Sequence, residues 1–170
     1  MTVLVDFQIR NLCEAGLVTP FDPALVNPAS LDVRLGEIIL IESAQDGWAP
    51  LCIAGHCEAS PWQLKPGHFI LAETMEVFDM PACIAGQFLL KSSRALEGLQ
   101  HLLAGWLDPG WHGSRLTMEL KNVRQLHPVP LWPGMKIGQI KLLRTDAQPQ
   151  RSYAETGRYN NDPMVQASRG

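Results

Sequence analysis

"DPGWHGSRLTMELKN", residues Asp108 to Asn122, is a turn that feeds a strand. Asp-Pro-Gly is turn chemistry, because Pro presets φ and Gly tolerates positive φ. From Arg115 the residues alternate. Leu116, Met118 and Leu120 fall on one face, and Arg115, Thr117, Glu119 and Lys121 on the other. With the apolar face in a core, Glu119 points away from that core from mid-strand. Just upstream, Trp106 and Leu107 precede Asp108 and Trp111 follows it, so a carboxylate sits in an apolar frame at a turn.

The same alternation recurs on either side. "LDVRLGEIILIE" (31–42), "GHFILAETMEVF" (67–78), "CIAGQFLL" (83–90), "SRLTMELKN" (114–122) and "GMKIGQIKLLR" (134–144) read as strands. Asn27-Pro28, Lys65-Pro66-Gly67 and Trp132-Pro133-Gly134 mark turns. Near the start, Asp6 is placed to cap a helix over "FQIRNLCEAG", with Ile9, Leu12 and Cys13 on one stripe and Gly16 at the stop. "SSRALEGL" (92–99) allows one or two further helical turns. Thirteen Pro and fourteen Gly suit an all-β barrel or sandwich with little helix.

The chain of 170 residues, 46% hydrophobic, suits a single domain over 1–170, with no internal repeat and no dividing linker. A net charge of −3 supplies no basic field for nucleic acid, although an anionic small molecule needs only a few local cations. No apolar run approaches the roughly 20 residues of a membrane span. The opening "MTVLVDFQIR" lacks the basic and long apolar regions of a signal peptide. Cys13, Cys52, Cys57 and Cys83 are too few for a disulfide scaffold. The expectation is a soluble, cytoplasmic protein with reduced thiols and neither nucleic-acid nor membrane partners.

"HCE" (56–58) imitates the His-x-Glu of zinc nucleoside deaminases, and "MPACIAG" (80–86) imitates their Pro-Cys-x-x-Cys half. The second half fails: Ala82 follows the Pro, and Gly86 stands where the second Cys is needed. Zinc is therefore not expected. "KSSRA" (91–95) is more promising. A cation and two hydroxyls at the end of an apolar strand make a phosphate cradle. The tail from Thr145 to Gly170 is polar and reads as a frayed terminus on composition. The alternative is a lid that orders over a ligand, with Arg151 and Arg158 supplying charge and Tyr153 and Tyr159 supplying faces.

In combination these blocks resemble a known family. "NPASLDVRLG" (27–36), "LLKSSRALEGLQHLLAGWLDPGWHG" (89–113), "LTMELKN" (116–122) and "LWPGMKIGQIKLLR" (131–144) look like the conserved segments of dCTP deaminases. Those enzymes share a superfamily with the trimeric dUTPases. The N-terminal helix and the tail "GRYNNDP…SRG" fit the same pattern, and the likeness covers nearly the whole chain.

The resemblance implies a distorted, jelly-roll-like β-barrel of the dUTPase type, assembled as a homotrimer with active sites between subunits. It implies Mg²⁺ held mainly by the substrate's phosphates, and residues 145–170 closing over the nucleotide. By motif, Lys91, Ser92 and Ser93 match phosphate-binding residues, with Arg94 beside them, and Ser92 also matches the residue that orients the attacking water. Asp108 matches the partner of the deoxyribose 3′-hydroxyl. Thr117 and Met118 match the strand positions beside the base. Glu119 matches the catalytic acid/base. Gln139, Tyr153 and Arg158 match further nucleotide contacts. The implied reaction is hydrolytic deamination of dCTP to dUTP and ammonia, and to dUMP if diphosphate is also removed, as a source of dUMP for thymidylate synthesis. "AGWLD" also resembles the AG-apolar-apolar-Asp of dUTPases and bifunctional deaminases.

Three departures stand out. The family continues Lys/Arg-Ser-Ser with Leu, a small residue and an Arg. Here Leu96 takes the place of that Arg, and Arg94 comes two residues early. One residue is missing between Lys91 and Asp108, and one is added between Asp108 and Glu119, which calls for a bulge or longer turn around His112–Arg115. Asp162 stands where Gln is usual. Two other functions therefore stay open: a dUTP diphosphatase, and a non-catalytic nucleotide-binding regulatory module.

Overall fold

A computed structural model describes residues 1–170. In chain order the elements are β1 (Thr2–Val3), α1 (Asp6–Glu14), β2 (Val18–Thr19), β3 (Val26–Asn27), β4 (Ser30–Ser43) and β5 (Gly47–Cys52). There follow β6 (Trp62–Leu64), β7 (Phe69–Asp79), β8 (Ile84–Leu90), α2 (Ser92–Leu96), β9 (Leu99–His101) and β10 (Trp106–Leu107). The chain ends with β11 (His112–Asn122), β12 (Val129–Leu131), β13 (Lys136–Arg144) and α3 (Tyr153–Thr156). The five strands read from alternation are the long ones, β4, β7, β8, β11 and β13.

These strands form one antiparallel sheet in the order β10-β8-β13-β4-β7-β11-β9, and β6 and β12 form a separate ribbon. The spine is β4. Its first half pairs with β13, as Leu31 with Ile140 and Asp32 with Gln139. Its second half pairs with β5 and β7, as Ile39 with Leu51 and with Ala72. The register against β7 breaks between Leu35 and Ile39, where the sheet changes direction. Gly36 sits at that break, and a Cβ there would stand 2.5 Å from Cγ of Glu73, so the bend depends on a missing side chain.

The core lies inside the curl. Leu31, Val33, Leu35 and Ile39 of β4, Phe78 of β7, Phe88 of β8, Met118 and Leu120 of β11, and Ile137, Ile140 and Leu142 of β13 are buried together. Each large apolar side chain removed from water contributes about 1.5–3 kcal/mol, so these alternating faces are what holds the sheet curled.

Two local expectations change. Asp6 is the first residue of α1 rather than its cap; Val5 takes the N-cap position, and its N–H donates to Oε1 of Gln8 at 3.1 Å. The stop is as read, with Gly16 at φ +99°. The short strands were not legible in the sequence, because two or three residues show no period. Pro50 in β5 and Pro130 in β12 also argue against a strand, and both strands are tolerated at the sheet margin.

Candidate active site

The site grows from β11. Its pairing with β7 slips twice, between His112 and Ser114 and between Arg115 and Thr117. At the first slip Gly113 takes φ +63° and donates its N–H to Asp79 Oδ1 at 3.0 Å. The bulge around His112–Arg115 expected from the sequence is present. At the second slip, the carbonyls of Thr74 and Met75 turn to the Arg115 guanidinium, at 2.8 and 2.5 Å. Beyond it the alternation runs undisturbed, with Thr117 and Glu119 outward and Met118 inward.

The turn before β11 is also formed. Trp111 N–H donates to the Asp108 carbonyl at 3.1 Å, with Gly110 at φ +88°. The Trp106 indole N–H donates to Asp108 Oδ1 at 3.0 Å, so the frame holds the carboxylate, which stays partly open to solvent. Gly110 has a second duty: Ser152 Oγ sits 2.0 Å from where its Cβ would be, so only glycine lets the tail pass here.

The tail is folded, not frayed. Asn161 N–H donates to the His112 carbonyl, Arg115 N–H to Asp162, and Gln166 N–H to Thr117 Oγ1, all within 3.0 Å. Both the Trp111 indole and the Ser114 hydroxyl donate to the Tyr159 carbonyl. Val165 is buried, and its N–H donates to Glu73 Oε2 at 2.8 Å. The tail, with Tyr153, thus forms one wall of a cleft of about 510 Å³, whose other walls carry Asp108, Thr117, Glu119 and the aromatic groups of Trp48 and Phe69.

Glu119 lies across from Leu71 in the register, beside Trp48 and Phe69, which meet edge to face at 5.7 Å. Burial pushes its carboxyl above the usual range, partly offset by a backbone N–H. A desolvated carboxyl of this kind exchanges protons closer to neutrality than an exposed one. Because its folded pKa is raised, Glu119 favours folding below the unfolded pKa, and that contribution is lost as pH rises through the folded value. Trp48→Ala is expected to admit water and move the acid limb of any pH–rate profile downward; an unmoved limb would mean that this wall does not set the carboxyl's proton affinity.

The remaining sequence-predicted residues lie elsewhere. Lys91 Nζ is 2.7 Å from Asp32 Oδ1, and Gln139 Oε1 accepts from Ser30 Oγ at 2.7 Å. Ser92 and Ser93 are exposed on α2 next to them. None of these lines the cleft, because β4 and β7 separate β13 from β11 in the sheet. Arg94 turns onto Glu97 of the same short helix at 2.9 Å, which removes it from the Lys91 group. The Met118 side chain is in the core, where strand alternation puts it, and contributes no side chain to the cleft. Arg158 is exposed and donates to the Gly170 carbonyl, outside the cleft.

Sequence reading missed Asp32, Lys136, Trp48 and Phe69. Asp32 carried a signal, a carboxylate between Leu31 and Val33 in the buried first half of β4. It is 2% exposed, and accepts from Lys91 and from Asn27 Nδ2 at 2.8 Å. Burial alone would raise its pKa, but bonds from Lys91, Asn27 and Lys136 and the charge of Lys91 hold it below the usual range. Trp48 carried no signal, since only the pairing of β5 with β4 brings it toward Glu119.

Comparison with known proteins agrees with this architecture. The family model described as dCTP deaminase-like matches residues 3–145. A relative from Rhodococcus opacus (strain B4), named "dCTP deaminase, dUMP-forming", is 39% identical over 166 residues, covering 91% of this chain and 87% of its own. A relative of the same name from Acidothermus cellulolyticus is 40% identical over 163 residues, covering 89% and 84%. The solved structure of 2′-deoxycytidine 5′-triphosphate deaminase from Agrobacterium tumefaciens superposes with a TM-score of 0.68 at 19% identity. It covers 82% of this chain, while this chain spans about half of that one, 48%, and the likeness is one of fold. The curled antiparallel sheet is thus the distorted barrel expected from the sequence, and on the family match over most of its length the chain belongs to the dCTP deaminase-like family.

Proposed function

We propose that this protein deaminates dCTP and then releases diphosphate, leaving dUMP, and that it works as a homotrimer. The observation that carries the reading is Glu119: a half-buried carboxyl of raised pKa, in the same cleft as Asp108, on a chain whose relatives are named for this reaction. Asp108, Glu119 and Asp162 all line the cleft, while the Arg115 guanidinium there is engaged by backbone carbonyls. Such a cleft suits the uncharged base and sugar rather than phosphates. Asp108, one of whose oxygens already accepts from the Trp106 indole, keeps acceptor capacity for a sugar hydroxyl, which favours deoxyribose bearing its 3′-hydroxyl.

Phosphates suit the other group, Lys91 with Ser92 and Ser93. Its distance from the cleft within one chain supports a site completed by a neighbouring copy. Leu102, Leu103 and Trp106, 55%, 86% and 50% exposed beside the cleft, give that contact apolar surface. In the assembled site, Ser92 of one copy fixes a water that adds to C4 of the cytosine. Glu119 accepts the water's proton, passes it to N3, and then transfers the hydroxyl proton to the departing amine, so that ammonia leaves and the C4 carbonyl forms. A second water then attacks the α-phosphorus and displaces diphosphate. Both Asp32 oxygens face ammonium groups. Mg²⁺ held by the substrate's phosphates is part of this reading, and it needs no protein carboxylate freed from its present partners. The four free thiols, two of them exposed, support a cytoplasmic setting.

Feeding dCTP and dUTP separately, with ammonia and diphosphate assayed, tests the reading. Equimolar ammonia and diphosphate from dCTP are expected. Ammonia without diphosphate would limit the product to dUTP. Diphosphate from dUTP alone would indicate a diphosphatase, and nucleotide binding with neither product a regulatory module.

A further inference from the structure

Asp32 is nearly fully buried, yet each of its two oxygens faces a different ammonium group. Lys91 Nζ lies 2.7 Å from Oδ1, and Lys136 Nζ lies 3.3 Å from Oδ2. One carboxylate therefore answers two cations. The next anion along the sheet, Glu76, is already paired with Arg34 at 2.7 Å, and Arg34 is the residue across from Lys136 in the register. The local balance is one positive charge in excess, at the edge of a half-buried surface that also carries the Ser92 and Ser93 hydroxyls.

Of the two lysines, Lys136 is the loosely held one. Its side chain is 47% exposed against 26% for Lys91, and its other contact, to the Ala24 carbonyl, is also long at 3.3 Å. Meanwhile Leu96 of α2 is 89% exposed and carries no charge, and Arg94 gives its charge to Glu97. The polyphosphate group lacks a cation at the helix and has a spare one on β13.

We propose that Lys136 is a second polyphosphate-binding cation, which Asp32 holds beside Lys91 and which supplies the charge that α2 does not, since Arg94 is paired with Glu97. Two ammonium groups on one carboxylate can each donate to a different oxygen of a phosphate chain while Asp32 keeps them from repelling one another. The proposal rests on the nucleotide reading above.

The test uses the full chain in its native assembly, titrated calorimetrically with inorganic tripolyphosphate, dCTP and deoxycytidine. Lys136→Gln is expected to weaken tripolyphosphate and dCTP about tenfold, with deoxycytidine affinity and melting temperature as in wild type, and Lys136→Arg is expected to restore binding. Wild-type affinity for tripolyphosphate in Lys136→Gln overturns the proposal. So does a uniform loss for all three ligands with a lowered melting temperature, which would make Lys136 a structural partner of Asp32. If wild type itself binds neither dCTP nor tripolyphosphate, the nucleotide reading fails, and this proposal with it.

Discussion

Glu119→Gln is expected to reduce ammonia release from dCTP by about a thousandfold or more, within the range that a positioned acid/base supplies. The amide keeps the shape and burial of the side chain but can neither accept the water's proton nor return one to the amine. Nucleotide affinity should survive, because Asp108, Thr117 and the tail wall are untouched. Two readouts are needed together: an ammonia assay and calorimetric binding of dCTP. Turnover within tenfold of wild type would remove Glu119 from the chemistry and leave the cleft as a binding site. The free carboxyl's raised pKa adds a second check, since activity limited by this base must rise with pH above the ordinary Glu range before it levels off.

Arg115→Met carries the largest expected effect on stability. The Arg115 guanidinium accounts for three backbone carbonyls, those of Thr74, Met75 and Pro163, where the β7–β11 register breaks and the tail crosses. Methionine keeps most of the apolar stem and removes every donor. Leaving a buried carbonyl unpaired costs about 1–3 kcal/mol; here two of the three are part-buried and that of Pro163 is exposed, so the total should be about 3 kcal/mol. The lost positive charge also leaves Glu73 more easily protonated, since burial already raises its pKa and Arg115 opposes that rise. A protonated Glu73 would weaken its hold on the Val165 N–H, so the tail should loosen. Urea titration should show a lower midpoint at unchanged slope, and proteolysis should cut the tail sooner. A variant as stable as wild type would show that water already satisfies those carbonyls.

How much of the site could be read in advance depends on sequence distance. Asp108, Thr117 and Glu119 were legible because a turn and a strand carry them within a dozen residues, and local backbone geometry settles where such neighbours point. Met118 was legible in its face but not in its role, because a resemblance transfers a position along a strand without saying whether side chain or backbone does the reading. Arg94 and Leu96 were visible as a departure, but only the Arg94–Glu97 pair shows where the displaced charge goes. The tail's composition left two outcomes open. What decided it was a set of backbone bonds to His112, Arg115 and Thr117, which no polar composition can announce.

By itself the sequence determined the long strands, their inward faces, the tight turn at Pro109-Gly110 and the family. Those follow from period-two burial and from backbone preferences acting over a few residues. That this turn joins β10, paired with β8, to β11, paired with β7 and β9, and so is no hairpin, came from the sheet topology. Only the tertiary structure decided that Trp48 and Phe69 share a cleft with the half-buried Glu119 carboxyl, that Asp32 joins Lys91 to Lys136, and that the cleft and the cationic group lie apart in one chain. Each of these depends on which strands pair and where their register slips, and so on the packing of the whole sheet.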